Sequence, residues 1–223
     1  MITMEYKRIT LLCGHYGSGK TNVALNMAYE IKKSQTNVAI ADLDIVNPYF
    51  RTKDSAKELE KKGIKLIVSE YAGTNVDIPA LPAEMYSLTA DKTLKAVIDV
   101  GGDDRGALAL GRISPEIKEE NDYEMLLVIN KFRPLTPDAV STVEVMREIE
   151  QAGGLKFTGI VNNSNLGEIT TAEDVLGSLE YAKAVSDLTG LPIKCTAVKK
   201  ELYTELEGEI ENLLALELQE KIN

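Results

Sequence analysis

Apolar residues gather in short runs separated by segments with helical spacing, and the two patterns alternate along the whole chain. The runs at 9–13, 37–42, 64–68, 94–99, 123–129, 157–161 and 193–198 have strand length and enough Val, Ile and Leu to be buried on both faces. After the first run, Val23, Met27 and Ile31 share one helical face, with Ala24 and Ala28 beside them. Helices are predicted at 22–33, at 55–62 closed by Gly63, near 83–90, and at 137–152 with Thr136 as cap and Gly153-Gly154 as stop. Two more are predicted at 171–189, ended by Gly190, and at 202–222. Residues 71–82, with Gly73, Pro79 and Pro82, read as a long loop. Strands alternating with helices predict an α/β fold, a doubly wound and mainly parallel sheet with helices on both faces. The 223 residues are an ordinary length for one domain spanning 1–223.

Between the first strand and the first helix lies GHYGSGKT, residues 14–21. Gly14, Gly19, Lys20 and Thr21 satisfy the pattern G-x-x-x-x-G-K-S/T in the strand-to-helix setting that pattern requires. Glycines allow the backbone N–H groups of Gly14, His15, Tyr16, Gly17, Ser18 and Gly19 to turn toward one centre, and the helix start at Lys20, Thr21 and Asn22 adds unpaired N–H groups. Such a nest takes polyphosphate. Lys20 can place its ammonium on the β- and γ-oxygens, and the Thr21 hydroxyl can ligate magnesium.

The later run ending Val97-Ile98-Asp99, followed by Val100-Gly101-Gly102, resembles the second magnesium element of P-loop proteins. Asp99 would be its acid and Gly102 a backbone sensor of the γ-phosphate. In a parallel sheet both motifs would lie at strand carboxyl ends, where ligands bind. Asp42 and Asp44 sit at another such end.

Charge narrows the partners. A formal net charge of −10 is unfavourable for a broad nucleic-acid surface, which needs clustered Lys and Arg. The polar face of the last predicted helix is mostly Glu, the reverse of a membrane-surface helix. The N-terminal MITMEYKRIT has no apolar run of signal-peptide length, which predicts a cytoplasmic protein. Cys13 and Cys195 lack metal-type spacing and read as small buried hydrophobes.

Taken together, GHYGSGKT, ADLDIVNPYF, VIDVGG and GIVNNSNLG, in that order, resemble the MinD/ParA/CobQ-type branch of P-loop ATPases, the SIMIBI class. The resemblance implies the P-loop NTPase fold, ATP and Mg2+ as ligands, and a metal site drawn from Thr21, Asp42, Asp44 and Asp99. It further implies Lys20 and Asp44 as catalytic residues, Asp44 positioning the attacking water, and an adenine contact from Asn162 or Asn163. A nucleotide-dependent homodimer belongs to the same implication. The chain departs from many members at His15, where they carry a lysine that reaches a partner's phosphates. An imidazole with an ordinary pKa near 6.5 is mostly neutral at pH 7, which predicts slow turnover with little dependence on protein concentration. Asn130-Lys131-Phe132-Arg133 ends a guanine-type pattern in a cation where a carboxylate would accept the base's protons, and so favours adenine.

The leading reading is a Mg-dependent ATP-binding protein, a slow ATPase acting as a switch on an unidentified protein partner. The alternative is an ATP-dependent biosynthetic enzyme of the dethiobiotin-synthetase and cobyrinate-amidase kind acting on a small carboxylate, with a second pocket drawn from residues 71–86. A plain nucleotide-binding module without turnover is the third class.

Overall fold

In the strands, neighbouring side chains point to opposite sides of the sheet, and both sides are apolar. Leu11 and Cys13 belong to one buried cluster and Leu12 to another, as the two-residue strand period requires. The structure is a computed structural model and describes residues 4–43, 56–68, 83–102 and 104–218. Its strands are β1 (Ile9–Cys13), β2 (Val38–Asp42), β3 (Lys65–Val68), β4 (Lys95–Asp99), β5 (Tyr123–Ile129), β6 (Gly159–Asn162), β7 (Ile193–Lys199) and β8 (Leu213–Leu216). They form one parallel sheet in the order β3-β2-β4-β1-β5-β6-β7-β8.

The helices are α1 (Lys20–Lys32), α2 (Ala56–Lys61), α3 (Ser87–Ala90), α4 (Asp104–Gly111), α5 (Ser114–Glu120), α6 (Ala139–Gly153), α7 (Ala172–Leu176), α8 (Leu179–Thr189) and α9 (Lys200–Leu206). A 3-10 turn, Ala83–Tyr86, leads into α3. Val23, Met27 and Ile31 of α1 and Leu59 of α2 pack on one sheet face with Ile40, Val97 and Val128. Leu110, Ile117, Val143, Met146 and Val185, from α4, α5, α6 and α8, pack on the other with Leu11, Ile98 and Met125. Adjacent strands β1 and β4 therefore send their chains to opposite faces, through α1 and α4 respectively. A crevice opens at the carboxyl ends of strands where such a switch occurs.

Three expected elements differ. Asp138, not Thr136, caps α6, its carboxylate accepting from Ser141 N at 2.9 Å, while the Thr136 hydroxyl turns inward to donate to Asn130 O. The helix expected over 171–189 is broken into α7 and α8 at Gly177-Ser178; there the Ser178 hydroxyl donates to Val175 O and accepts from Asn162 Nδ2. The helix expected over 202–222 ends at Leu206, and the chain continues as the parallel strand β8. The run Leu213-Leu214-Ala215-Leu216 fits either period. Pairing with β7 buries Leu214 and Leu216 on one face, and Asn212 takes a left-handed φ of 54° just before the strand. The predicted 71–82 loop lies outside the described residues. No helix among the described residues is long and apolar enough to cross a membrane.

One buried ion pair ties the amino-terminal ends of the central strands together. Arg8 pairs with Glu120 through two N–H donors and also donates to Leu88 O, Asp91 O and Leu94 O. The Arg8 hydrogen bonds hold the Glu120 carboxyl below the usual glutamate value of 4.5 despite its burial. A carboxyl with a depressed folded pKa contributes stability that is full above its unfolded pKa and is lost as pH falls through the folded one. Arg8→Ala leaves Glu120 with only the exposed Lys92 as a partner and takes the donor from three carbonyls, and should cost about 1–3 kcal/mol. Urea unfolding at pH 7 should show that loss, and at low pH, where Glu120 is protonated, the gap between variant and wild type should narrow.

Candidate functional site

The loop joining β1 to α1 is built on backbone conformations that side chains rarely adopt. Gly14, Gly17 and Gly19 have φ of 151°, 77° and 85°, and Gly19 stands at the N-cap of α1 in the left-handed region. Space is as restrictive as torsion. A Cβ on Gly14 would lie 2.4 Å from Val128 O, and one on Gly19 would lie 2.3 Å from Asn163 Nδ2. The loop is thus wedged between β5 on one side and the residue following β6 on the other.

Gly102 meets the loop from the β4 side: a Cβ there would lie 2.7 Å from Tyr16 N and 2.9 Å from Lys20 Nζ. Lys20 is buried and its ammonium donates to His15 O at 3.2 Å. The Thr21 hydroxyl donates to Asp99 Oδ2 at 2.5 Å, and Asp99 is 1% exposed. Parallel register sets Asp42 beside Asp99, so the sheet brings a second carboxylate next to the strand end that meets the Thr21 hydroxyl. Oxygen donors of this kind suit Mg2+, which takes one or two carboxylates and completes its shell with phosphate and water. Gly14 to Asn22, Gly102, Asp42 and Asp99 are accordingly brought together around one loop. Asp44 lies outside the described residues.

His15 holds its ring within the loop, Nδ1 lying 2.8 Å from Tyr16 O, a contact in which the ring nitrogen must be the donor. Tyr16 is 54% exposed. Burial pushes the Cys13 thiol, at the foot of the loop, well above its ordinary range, with Lys20 pulling it down and Asp99 adding to the rise. Burial likewise pushes Cys195 up to about 12. Burial disfavours the thiolate of both cysteines, as suits small core residues.

The two asparagines after β6 occupy different surroundings. Asn162 is fully buried; its Nδ2 donates to Ser178 Oγ, and its Oδ1 accepts from the backbone N–H and hydroxyl of Ser164. Asn163 faces the loop, donating through Nδ2 to Ser18 O at 2.7 Å. Asn130, also fully buried, accepts at Oδ1 from Phe132 N and Asn165 N and donates to Asn165 O. Lys131 Nζ donates to Gly177 O. Asn130 and Lys131 therefore stitch the turns after β5 and β6 to their neighbours. The residue whose position the sequence did not disclose is Arg133, whose guanidinium packs against Gly17. Its place in a loop at a strand carboxyl end was the available signal.

The architecture is the P-loop NTPase fold, and solved structures of that fold superpose on it. Chloroplast FtsY from Physcomitrella patens is 17% identical with a TM-score of 0.58, the match covering 86% of this chain and 58% of that one. Cell division protein FtsY from Thermotoga maritima is 22% identical at a TM-score of 0.54, covering 89% and 64%. The 54 kDa signal recognition particle protein from Aeropyrum pernix K1, solved in complex with GDP, is 20% identical at 0.53, covering 86% and 41%. The match thus spans less than two thirds of each of these chains, and at such identities the likeness is one of fold. No family model matches the sequence, and no curated protein is significantly similar to it.

The crowding at Gly14 makes a direct test of the loop's packing. Gly14→Ala drives a methyl into a strand carbonyl that cannot yield, and should lower stability by about 1–3 kcal/mol. Gly208→Ala, where nothing lies within 4 Å, should change it by only a few tenths, about 0.5 kcal/mol at most. Thermal unfolding of the two variants side by side checks the contrast.

Proposed function

We propose that the protein binds a magnesium–nucleoside triphosphate at the glycine loop and works as a slow ATPase, its nucleotide state switching the surface offered to a protein partner. The observation that carries this reading is the contact of Thr21 with Asp99 directly beneath the loop that presents Lys20. Lys20 would release His15 O and place its charge on the β- and γ-oxygens. Thr21 and Asp99 would hold Mg2+, with Asp42 alongside; the ion, when bound, offsets charge that develops on the phosphates.

Asp44, two residues beyond Asp42, is our candidate for orienting the attacking water, the role its counterpart has in the MinD/ParA/CobQ-type proteins that the motifs resemble. Gly102 leaves no room for a Cβ beside Tyr16 N and Lys20 Nζ, and a backbone that close to the loop supports a contact from it to the terminal phosphate. A segment held by that phosphate and released on hydrolysis is how such folds act as switches.

Adenine is our choice of base. The Aeropyrum protein was solved with GDP, but in this chain Asn130 is spent on internal hydrogen bonds and the carboxylate that would accept guanine's N–H protons is replaced by Arg133. Asn163, turned to the loop, is the better placed of the two asparagines to meet a base, since the Asn162 amide is committed to Ser178 and Ser164.

Three measurements test this reading. Lys20→Ala removes charge-assisted contacts from the phosphates and should weaken ATP·Mg binding by about a hundredfold or more in a variant that melts normally; unchanged affinity by calorimetry would refute the phosphate site. Asp44→Ala should retain ATP binding but lose turnover by about 10²–10⁴-fold. In the wild type, with His15 in place of a trans-acting lysine, the rate per subunit should stay flat across a wide dilution series. A steep rise with concentration would show dimer activation instead.

A further inference from the structure

Arg133 sits in the turn that follows β5, its backbone held at both ends: its N–H donates to Asn130 O and its carbonyl accepts from Thr136 N. The three heavy atoms nearest to where a Gly17 Cβ would lie all belong to its guanidinium, at 3.2, 3.2 and 3.5 Å. Its Nε is buried, with no hydrogen-bond partner among the described residues, and no carboxylate pairs with it there. A buried donor without an acceptor is costly and calls for an explanation. A guanidinium whose Nε–H is unmatched where it lies gains by moving off Gly17, and on a nucleotide loop the group that would draw it away is the nucleotide.

Strand order decides which part of the ligand. β1 lies between β4 and β5. Asp99 and Gly102 reach the loop from the β4 side, where Lys20 and Thr21 also meet them, so the terminal phosphates belong there. Arg133 and Asn163 reach it from β5 and β6, on the opposite flank. The nucleoside must extend toward that flank.

We propose that Arg133 grips the nucleoside half of the bound nucleotide, setting its planar guanidinium against the purine rather than its charge against the terminal phosphates. This rests on the nucleotide reading of the loop. Arginine suits the task because its guanidinium is flat, weakly hydrated and stacks on π-systems, whereas a lysine ammonium is a point charge. Rotation about the side chain's torsions would lift the group from Gly17 onto a base and free Nε to meet water or the ligand.

The test is calorimetric titration of the full chain with ATP, ADP and inorganic tripolyphosphate, each with Mg2+, in wild type, Arg133→Ala and Arg133→Lys, with thermal melting as a check on folding. Arg133→Ala should weaken ATP and ADP by the same factor, about tenfold, and leave tripolyphosphate unchanged. Arg133→Lys should lose nearly as much, since it keeps the charge but not the plane, and it carries the test if the alanine variant fails to fold. An equal loss for tripolyphosphate, full affinity in Arg133→Lys, or no change in any variant would overturn the assignment. A wild type that takes none of the three ligands would instead overturn the nucleotide reading itself.

Discussion

The glycine loop after β1 is held from several sides at distances that leave no room for a side chain. Val128 O closes on Gly14, Asn163 Nδ2 on Gly19, and the Tyr16 backbone and Lys20 ammonium on Gly102. These neighbours come from β5 and from the residues that follow β6 and β4, so the loop's shape depends on the middle of the sheet. Its left-handed torsions supply inward N–H groups, but the neighbouring strands hold them there. The chemistry of the site is thereby coupled to the integrity of the central strands.

That dependence explains why the apolar core is divided as it is. Residues on successive strand positions feed two separate clusters, one under α1 and α2 and the other under α4, α5, α6 and α8. Burial on both faces makes the central strands rigid and leaves only their ends free to carry polar groups. Those groups are then used with little waste. Asn130, Asn162, Ser164 and Asn165 satisfy one another across the turns after β5 and β6, and Asn163 is left to reach the loop. A buried polar network satisfied in this way fixes one arrangement, so the turns after β5 and β6 beside the loop are well ordered.

Among the described residues the Arg133 Nε, like the Ser18 hydroxyl in the loop itself, is buried without a hydrogen-bond partner. The opposite end of the sheet shows the contrast: Arg8 there has a carboxylate and three carbonyls to bond, so its burial is purely structural. Two arginines of one fold thus differ: Arg8 is buried and bonded, and Arg133 is half-buried with its Nε unmatched among the described residues. The second packs against the glycine loop.

Much of this was readable along the chain. Short apolar runs alternating with helical periodicity imply the parallel α/β sheet, and the spacing of Gly14, Gly19, Lys20 and Thr21, with Asp99 ending a later apolar run, implies a loop and an acid at strand ends. These are local patterns, set by the chain's own geometry, and a period of two or of 3.6 residues needs no distant partner to be seen. Where both periods fitted, as at Leu213–Leu216, the edge of β7 decided for a strand. Where two neighbours shared a chemistry, as Asn162 and Asn163 do, only the packing of β6 against Ser178 on one side and the loop on the other told them apart. The place of Arg133 was likewise invisible, because the order β4-β1-β5-β6 is a non-local fact. The sequence by itself determined which residues could make the site, and the tertiary structure decided which face it, because facing depends on strand neighbours far away in the chain.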